Sequence, residues 1–133
     1  MIYPLMVFGD WAHFILRVVV AVIFLVHGWP KFASLKATAD NFNAMGFRPG
    51  KFWAAFIATI ETLGGLLLLI GLGTQIVSLV LAVEMIVSAL WKVRRGEPFA
   101  GGCELDVLLI AVLLVLATWG GGVFGADNAF RLW

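Results

Sequence analysis

Four long apolar segments dominate the chain and decide what it can fold into. They cover residues 11–32, 52–72, 74–91 and 103–120, and each is close to the ~20 residues that a helix needs to cross the hydrocarbon core of a bilayer. Of all residues 62% are hydrophobic and 13% are charged, which is outside the range of water-soluble domains. Membrane-spanning strands would need alternating segments of about 10 residues in a closed barrel of about eight or more, for which the chain is too short. The sequence therefore predicts an all-α membrane protein, an antiparallel four-helix transmembrane bundle that forms one domain over residues 1–133.

The distribution of basic residues predicts how this bundle is oriented. Positively charged short loops stay in the cytoplasm, and most cations lie in or beside the two polar connections, whereas the side that holds both termini carries only Arg131. We therefore expect a multi-pass protein of the cytoplasmic (inner) membrane with both termini outside the cytoplasm. Aromatic residues mark the two interfaces, among them Trp29, Trp53 and Trp91 on one side and Tyr3, Trp11, Trp119 and Trp133 on the other. The net charge of +1, without a clustered basic surface, argues against nucleic-acid binding.

Ionisable residues inside the apolar segments are costly and therefore need a partner or a role. Arg17 lies in the first segment, Glu61 in the second and Glu84 in the third. A rise of ~1.5 Å per residue in antiparallel helices places these three at similar depths, so we expect them to form a buried polar cluster. One arginine against two glutamates leaves a surplus negative charge, which a proton on one glutamate would neutralise. The cluster is interpreted as a proton relay or as acids beside a quinone, or else as a structural network that fixes helix register.

A second, wetter cluster is expected at the loop-bearing end, where His27, Lys31, Glu104 and Asp106 come together. The alternative is structural, because Lys31 can extend to lipid phosphates and the two acids suit the start of a helix. Cys103 would lie at the rim of this cluster. One cysteine cannot form an internal disulfide, and no Cys/His set has metal-ligand spacing, so no metal site is predicted.

Several motifs along the chain resemble the DoxX-like family of small four-helix membrane proteins. They are Arg17, Gly28-Trp29-Pro30-Lys31, Gly46, Glu61-Thr62-Leu63-Gly64-Gly65, Gly71-Leu72-Gly73-Thr74 and the stretch from Gly120 to Asp127. The resemblance covers nearly the whole chain. It implies a bacterial cytoplasmic-membrane protein, and some members of the family are tied to redox chemistry, including a subunit of a thiosulfate-to-quinone oxidoreductase and complexes with oxidative-stress enzymes.

Three functions are compatible with these features. The first is a membrane subunit of a quinone-linked redox complex, which needs a partner protein to supply electrons and has a quinone as its candidate ligand. The second is a non-catalytic membrane scaffold or lipid-binding protein whose buried charges serve assembly. The third is a small-solute carrier, for which four helices enclose little volume unless several copies form a homo-oligomer. In each case the bilayer itself is a partner.

Overall fold

The computed structural model describes residues 4–132, and these residues are almost entirely helical. A short 3-10 helix, Pro4–Phe8, leads into α1 (Gly9–Ala33), which is followed by α2 (Leu35–Ala44), α3 (Gly50–Ile70) and α4 (Thr74–Arg94). A π-type turn, Phe99–Cys103, precedes α5 (Glu104–Trp119), and the short α6 (Ala126–Ala129) follows. Tyr3 and Trp133, which were assigned to a membrane interface, lie outside the described residues.

Four of these helical segments are long and apolar enough to cross a membrane. They are Pro4–Ala33, Gly50–Ile70, Thr74–Arg94 and Phe99–Trp119. Their outward faces carry exposed aliphatic side chains, for example Val19, Val26, Leu66 and Val83, which suit contact with lipid because no water is available there. The predicted fold class, an antiparallel four-helix transmembrane bundle, is confirmed, and the chain is a multi-pass membrane protein.

Short side chains set the closest helix contacts. α1 packs along α3, and α4 packs along α5. At Gly28 of α1, an added Cβ would lie 2.7 Å from the backbone nitrogen of Thr62 and 2.8 Å from Cβ of Glu61. Glycine therefore lets α3 approach α1 so closely that their backbones are in contact, as small residues do in membrane bundles.

The two sides of the bundle are built differently. The loop-bearing side holds the α1–α3 connection with α2, and the α4–α5 connection. The terminal side holds the tight turn between α3 and α4 and the segment after α5. In that turn, Gly71 and Gly73 have φ angles of +72° and +61°, which only glycine adopts without strain.

Two helices were missed by the sequence analysis. α2 lies in a stretch that was interpreted as a polar connection, and it packs on α3, with the side chain of Asn43 accepting a 2.8 Å hydrogen bond from the backbone N–H of Gly50. α6 follows the glycine-rich stretch and positions Asp127 against the α3–α4 turn. Both helices are short, and their positions depend on contacts with distant parts of the chain.

Candidate functional site: a charged cleft among the long helices

An open cleft of about 230 Å³ lies among α1, α3, α4 and α5 in the loop-bearing half of the bundle. Its charged groups belong to the last turns of α1 and α4 and the first turn of α5, together with one residue from the middle of α3. Its walls combine aliphatic, aromatic and ionisable side chains, namely Ile23, Phe24, His27, Lys31, Glu61, Met85, Ser88, Lys92, Leu105, Asp106 and Leu109. The cleft therefore combines residues from both clusters that the sequence predicts.

Lys31 and Glu61 form the first ion pair of the cleft. Nζ of Lys31 donates to Oε2 of Glu61 at 2.5 Å, and the side chains are 29% and 5% exposed. The pair depends on Gly28, because the close approach of α3 at that glycine brings Glu61 within reach of a lysine one turn further along α1. Lys31 thus extends inward to the carboxylate of Glu61. It does not extend outward to lipid phosphates, which was the structural alternative predicted from the sequence.

Glu84 lies behind this pair. Its carboxyl group is a close neighbour of the carboxyl of Glu61. Oε2 of Glu84 is buried and has no hydrogen-bond partner among the described residues. A hydrogen bond between two carboxyl groups requires a proton on one of them, since an ionised carboxylate can only accept. The Glu61–Glu84 pair is therefore a place where a proton can be held.

Lys92 and Asp106 form the second ion pair, on the opposite wall of the cleft. Nζ of Lys92 lies 2.8 Å from Oδ2 of Asp106, and the Ser88 hydroxyl donates to the same oxygen at 3.3 Å. Asp106 is buried at the start of α5. Sequence analysis missed Lys92 and Ser88 as site residues, although Glu84, Ser88 and Lys92 follow one another at the four-residue spacing of a helix face.

The remaining members of the second predicted cluster are divided. His27 lines the cleft, and its Nδ1 lies 2.8 Å from the carbonyl oxygen of Ile23. Because a carbonyl only accepts, Nδ1 carries the hydrogen, which leaves Nε2 of the neutral ring as an acceptor. Glu104 is exposed on the outside of α5 and does not line the cleft, and Cys103 is buried beside it.

Arg17 does not join Glu61 and Glu84, and this part of the sequence expectation is corrected. Its guanidinium donates to the carbonyl oxygens of Leu68 at 2.5 Å and Leu69 at 2.8 Å, and to that of Phe124 at 3.2 Å. The last carbonyls of a helix lack partners within the helix and carry its negative dipole. Arg17 therefore extends to the terminal side, where it caps α3. Lys31, and not Arg17, is the cation that pairs with Glu61.

Asp127 closes the same end of the bundle. Its carboxylate accepts hydrogen bonds from the backbone N–H groups of Gly73 at 2.6 Å and Thr74 at 2.9 Å, and its own N–H donates to the carbonyl of Gly71 at 2.9 Å. It thus caps the start of α4 and fixes the C-terminal segment on the α3–α4 turn. The terminal side is held together by these contacts and by Arg17.

The cleft has the parts needed for proton chemistry on a polar ring or head group. Lys31, Lys92 and Ser88 are hydrogen-bond donors, Nε2 of His27 is an acceptor, and the glutamate pair can hold a proton. Apolar side chains such as Phe24, Met85 and Leu109 complete the walls. A small number of placed polar groups in an otherwise apolar pocket is typical of small-molecule sites.

Comparison with known proteins agrees with this architecture. The sequence model of the DoxX family matches residues 12–93. A Bacillus subtilis (strain 168) protein named "Putative oxidoreductase CatD" is 37% identical over 113 residues, which cover 85% of this chain and 82% of that protein. A protein of Haemophilus influenzae without a functional name is 32% identical over 120 residues, covering 86% of this chain and 87% of the relative. No solved structure matches significantly. The chain therefore belongs to the DoxX family.

Proposed function

We propose that the protein is the membrane subunit of a quinone-linked redox complex and that the charged cleft holds the quinone head group. The observation that carries this proposal is the placement of two lysine–carboxylate pairs and a protonatable glutamate pair among apolar walls, at a depth where hydrocarbon-soluble molecules reside. Glu61 is 11 residues inside α3, which corresponds to ~16 Å below its start. An ionisable group at such a depth is by default a candidate functional residue.

The chemistry of a quinone matches the side chains of the cleft. Quinone carbonyl oxygens accept hydrogen bonds, which Lys31, Lys92 and Ser88 can donate. Reduction to the quinol adds two electrons, which the partner protein would supply, and two protons to these oxygens. The Glu61–Glu84 pair would deliver the protons one after the other, with reprotonation of the pair between the two steps. In the quinol the oxygens become donors, for which Nε2 of His27 is an acceptor. The ring itself would pack on Phe24, Met85 and Leu109.

The electrons would come from a partner protein. The relative named as an oxidoreductase supports a redox association, and its alignment covers most of both chains. In this proposal the membrane subunit binds and protonates the quinone, and the partner carries the electron donor. The cytoplasmic membrane, with both termini outside, is the location that we propose from the distribution of lysine and arginine.

The scaffold alternative has one observation in its favour. Arg17 caps the end of α3 and Asp127 caps the start of α4, and both ion pairs of the cleft satisfy their members without a ligand. In a scaffold these charges would serve only helix packing. The two functions differ in whether the cleft binds anything other than phospholipid.

Mass spectrometry of proteins and small molecules that co-purify after mild detergent extraction tests the proposal. The native protein is compared with Glu61→Gln, which removes the charge inside the cleft, and with Glu104→Gln, which removes the same charge outside it. We expect quinone, or an oxidoreductase, with the native protein and with Glu104→Gln, and its loss from folded Glu61→Gln. Phospholipid alone in all three samples would contradict the proposal and favour the scaffold.

A further inference from the structure

We infer that the cleft is a half-channel, which gives water and protons access to the Glu61–Glu84 pair from the loop-bearing side of the membrane alone. If the proposed function holds, the protons that a quinone takes up in this cleft are then withdrawn from one side of the membrane. The inference about access stands on the structure of the bundle, and only its consequence for the quinone rests on the proposed function.

Polar side chains occur at each level of the cleft, from its loop-bearing end to Glu61. Lys92, in the last turn of α4, contacts both Asp106 and the backbone carbonyl of Gly102, which lies 3.4 Å from its Nζ in the α4–α5 connection. Ser88 lies one turn deeper and shares Asp106 with it. On the facing wall, His27 and Lys31 lead to Glu61. Polar partners at each level are what a file of water molecules needs.

Beyond the glutamates the bundle is closed by a tightly packed apolar layer. All four long helices contribute side chains that are at most 2% exposed, namely Val20, Ala21, Leu68, Leu81, Leu113 and Leu116. Packing across the layer is close, because a Cβ added to Gly64 would meet the side chain of Leu81 at 3.2 Å. A densely packed apolar layer gives water no room.

A separate cavity lies on the other side of this layer. It measures about 300 Å³ and is lined by Gln75, Trp119, Asp127, Asn128 and residues 120–123. Between it and the layer, Gly125 lies so close to the α3–α4 turn that a Cβ on Gly71 would be 2.6 Å from its Cα. At the same depth, Arg17 joins α3 to the C-terminal segment by donating hydrogen bonds to the carbonyls of Leu68 and Phe124. The two cavities are therefore separated by the apolar layer and by this closure.

Three positions on α4 sample the two cavities and the layer between them. Ser88 lines the half-channel, Gln75 lines the terminal-side cavity, and Ser78 is fully buried next to the apolar layer. Each is changed to cysteine in a Cys103→Ser background, which removes the only native cysteine. The purified proteins are reconstituted in proteoliposomes and exposed to a small, charged, membrane-impermeant thiosulfonate from outside, from inside, or after denaturation. Lys36→Cys, exposed on α2, marks the loop-bearing side.

We expect Ser88→Cys to react from the same side as Lys36→Cys, Gln75→Cys to react only from the opposite side, and Ser78→Cys to react only after denaturation. Reaction of Ser88→Cys from the terminal side would overturn the half-channel. So would reaction of Ser78→Cys in the folded protein, or failure of Ser88→Cys to react from either side while Lys36→Cys does.

The same assay separates this inference from the proposed function. A short-chain menaquinone or ubiquinone is added before labelling of Ile23→Cys in the Cys103→Ser background, because Ile23 lines the cleft without being one of the assigned quinone contacts. Protection from the reagent supports both the quinone site and the half-channel. If quinone leaves the one-sided labelling unchanged, the proposed function is contradicted and the half-channel is still supported. Labelling from both sides contradicts the half-channel, with or without quinone.

Discussion

Lys31 and Glu61 are buried to different extents, so the loss of one partner has a different cost for each. Glu61 is almost completely buried, while Lys31 is partly exposed. We therefore expect Lys31→Met to destabilise the protein strongly, because it leaves a buried carboxylate without its cation, a change that costs about 3–5 kcal/mol for buried pairs. The double variant Lys31→Met/Glu61→Gln should regain most of the loss. Thermal unfolding of the four proteins in mild detergent measures this cycle. A loss in the double variant equal to the sum of the two single losses would show that the pair has no coupling.

Gly28 is the residue that makes this pair possible. We expect Gly28→Ala to lower the melting temperature, because the new methyl group would lie 2.7 Å from the backbone of α3 at Thr62 and push the two helices apart. Gly9→Ala is the matched control, since none of residues 4–132 lies within 4 Å of a Cβ there, and alanine is the better helix former by up to about 1 kcal/mol. Equal melting temperatures for the two variants would contradict the assigned role of Gly28.

At the scale of single residues, the sequence predicts which groups need partners but not which partners they take. Arg17, Glu61 and Glu84 were predicted to be buried together from their depths. Depth along a helix leaves a long side chain free to extend toward either end. Arg17 extends toward the last carbonyls of α3, while Lys31 extends toward Glu61. Only the close contact of α1 and α3 at Gly28 determines that Lys31, and not Arg17, reaches Glu61. That contact is a property of the packed bundle.

At the scale of elements, the turn between α3 and α4 depends on a residue more than 50 positions away. We expect Asp127→Ala to destabilise the protein by about 1–3 kcal/mol for each buried N–H that is left without an acceptor, namely those of Gly73 and Thr74. Asp127→Asn keeps one acceptor oxygen and should lose less. Asp10→Ala, an exposed acid on the same side, is the control. Thermal unfolding should rank the variants in that order, and an Asp127→Ala protein as stable as the control would contradict the capping role.

The elements themselves differ in how well the sequence predicts them. The four long helices follow from apolar length alone, because a bilayer permits few other structures. α2 and α6 do not, because short polar helices owe their stability to tertiary contacts rather than to their own sequence. The signal for the C-terminal closure was present in the glycine-rich stretch before Asp127, but its target, the α3–α4 turn, is recognisable only in the folded protein.

At the scale of the whole molecule, the asymmetry between the two sides links fold to function. The terminal side is closed by hydrogen bonds that the Arg17 side chain donates to backbone carbonyls and that the Asp127 carboxylate accepts from backbone N–H groups. This leaves the loop-bearing side as the place where charged residues can reach inward. The same side carries most of the lysine and arginine residues. A cleft that opens toward the loop-bearing side and a positively charged surface on that side are therefore two consequences of one distribution of charge.

This distribution also makes the orientation of the bundle testable. We expect alkaline phosphatase fused after the last residue to be active and a green fluorescent protein fused there to be dark, because the positive-inside rule predicts that both termini lie outside the cytoplasm. Fusions of the same two reporters within residues 95–98, after α4, should show the opposite pattern and serve as the control. Replacing Lys36, Arg48, Lys51, Arg94 and Arg95 together with glutamine should lower the alkaline phosphatase signal of the C-terminal fusion, because it removes most of the charge difference between the two sides. A fluorescent C-terminal fusion in the unmodified chain would reverse the assignment, and with it the side of the membrane to which the half-channel opens.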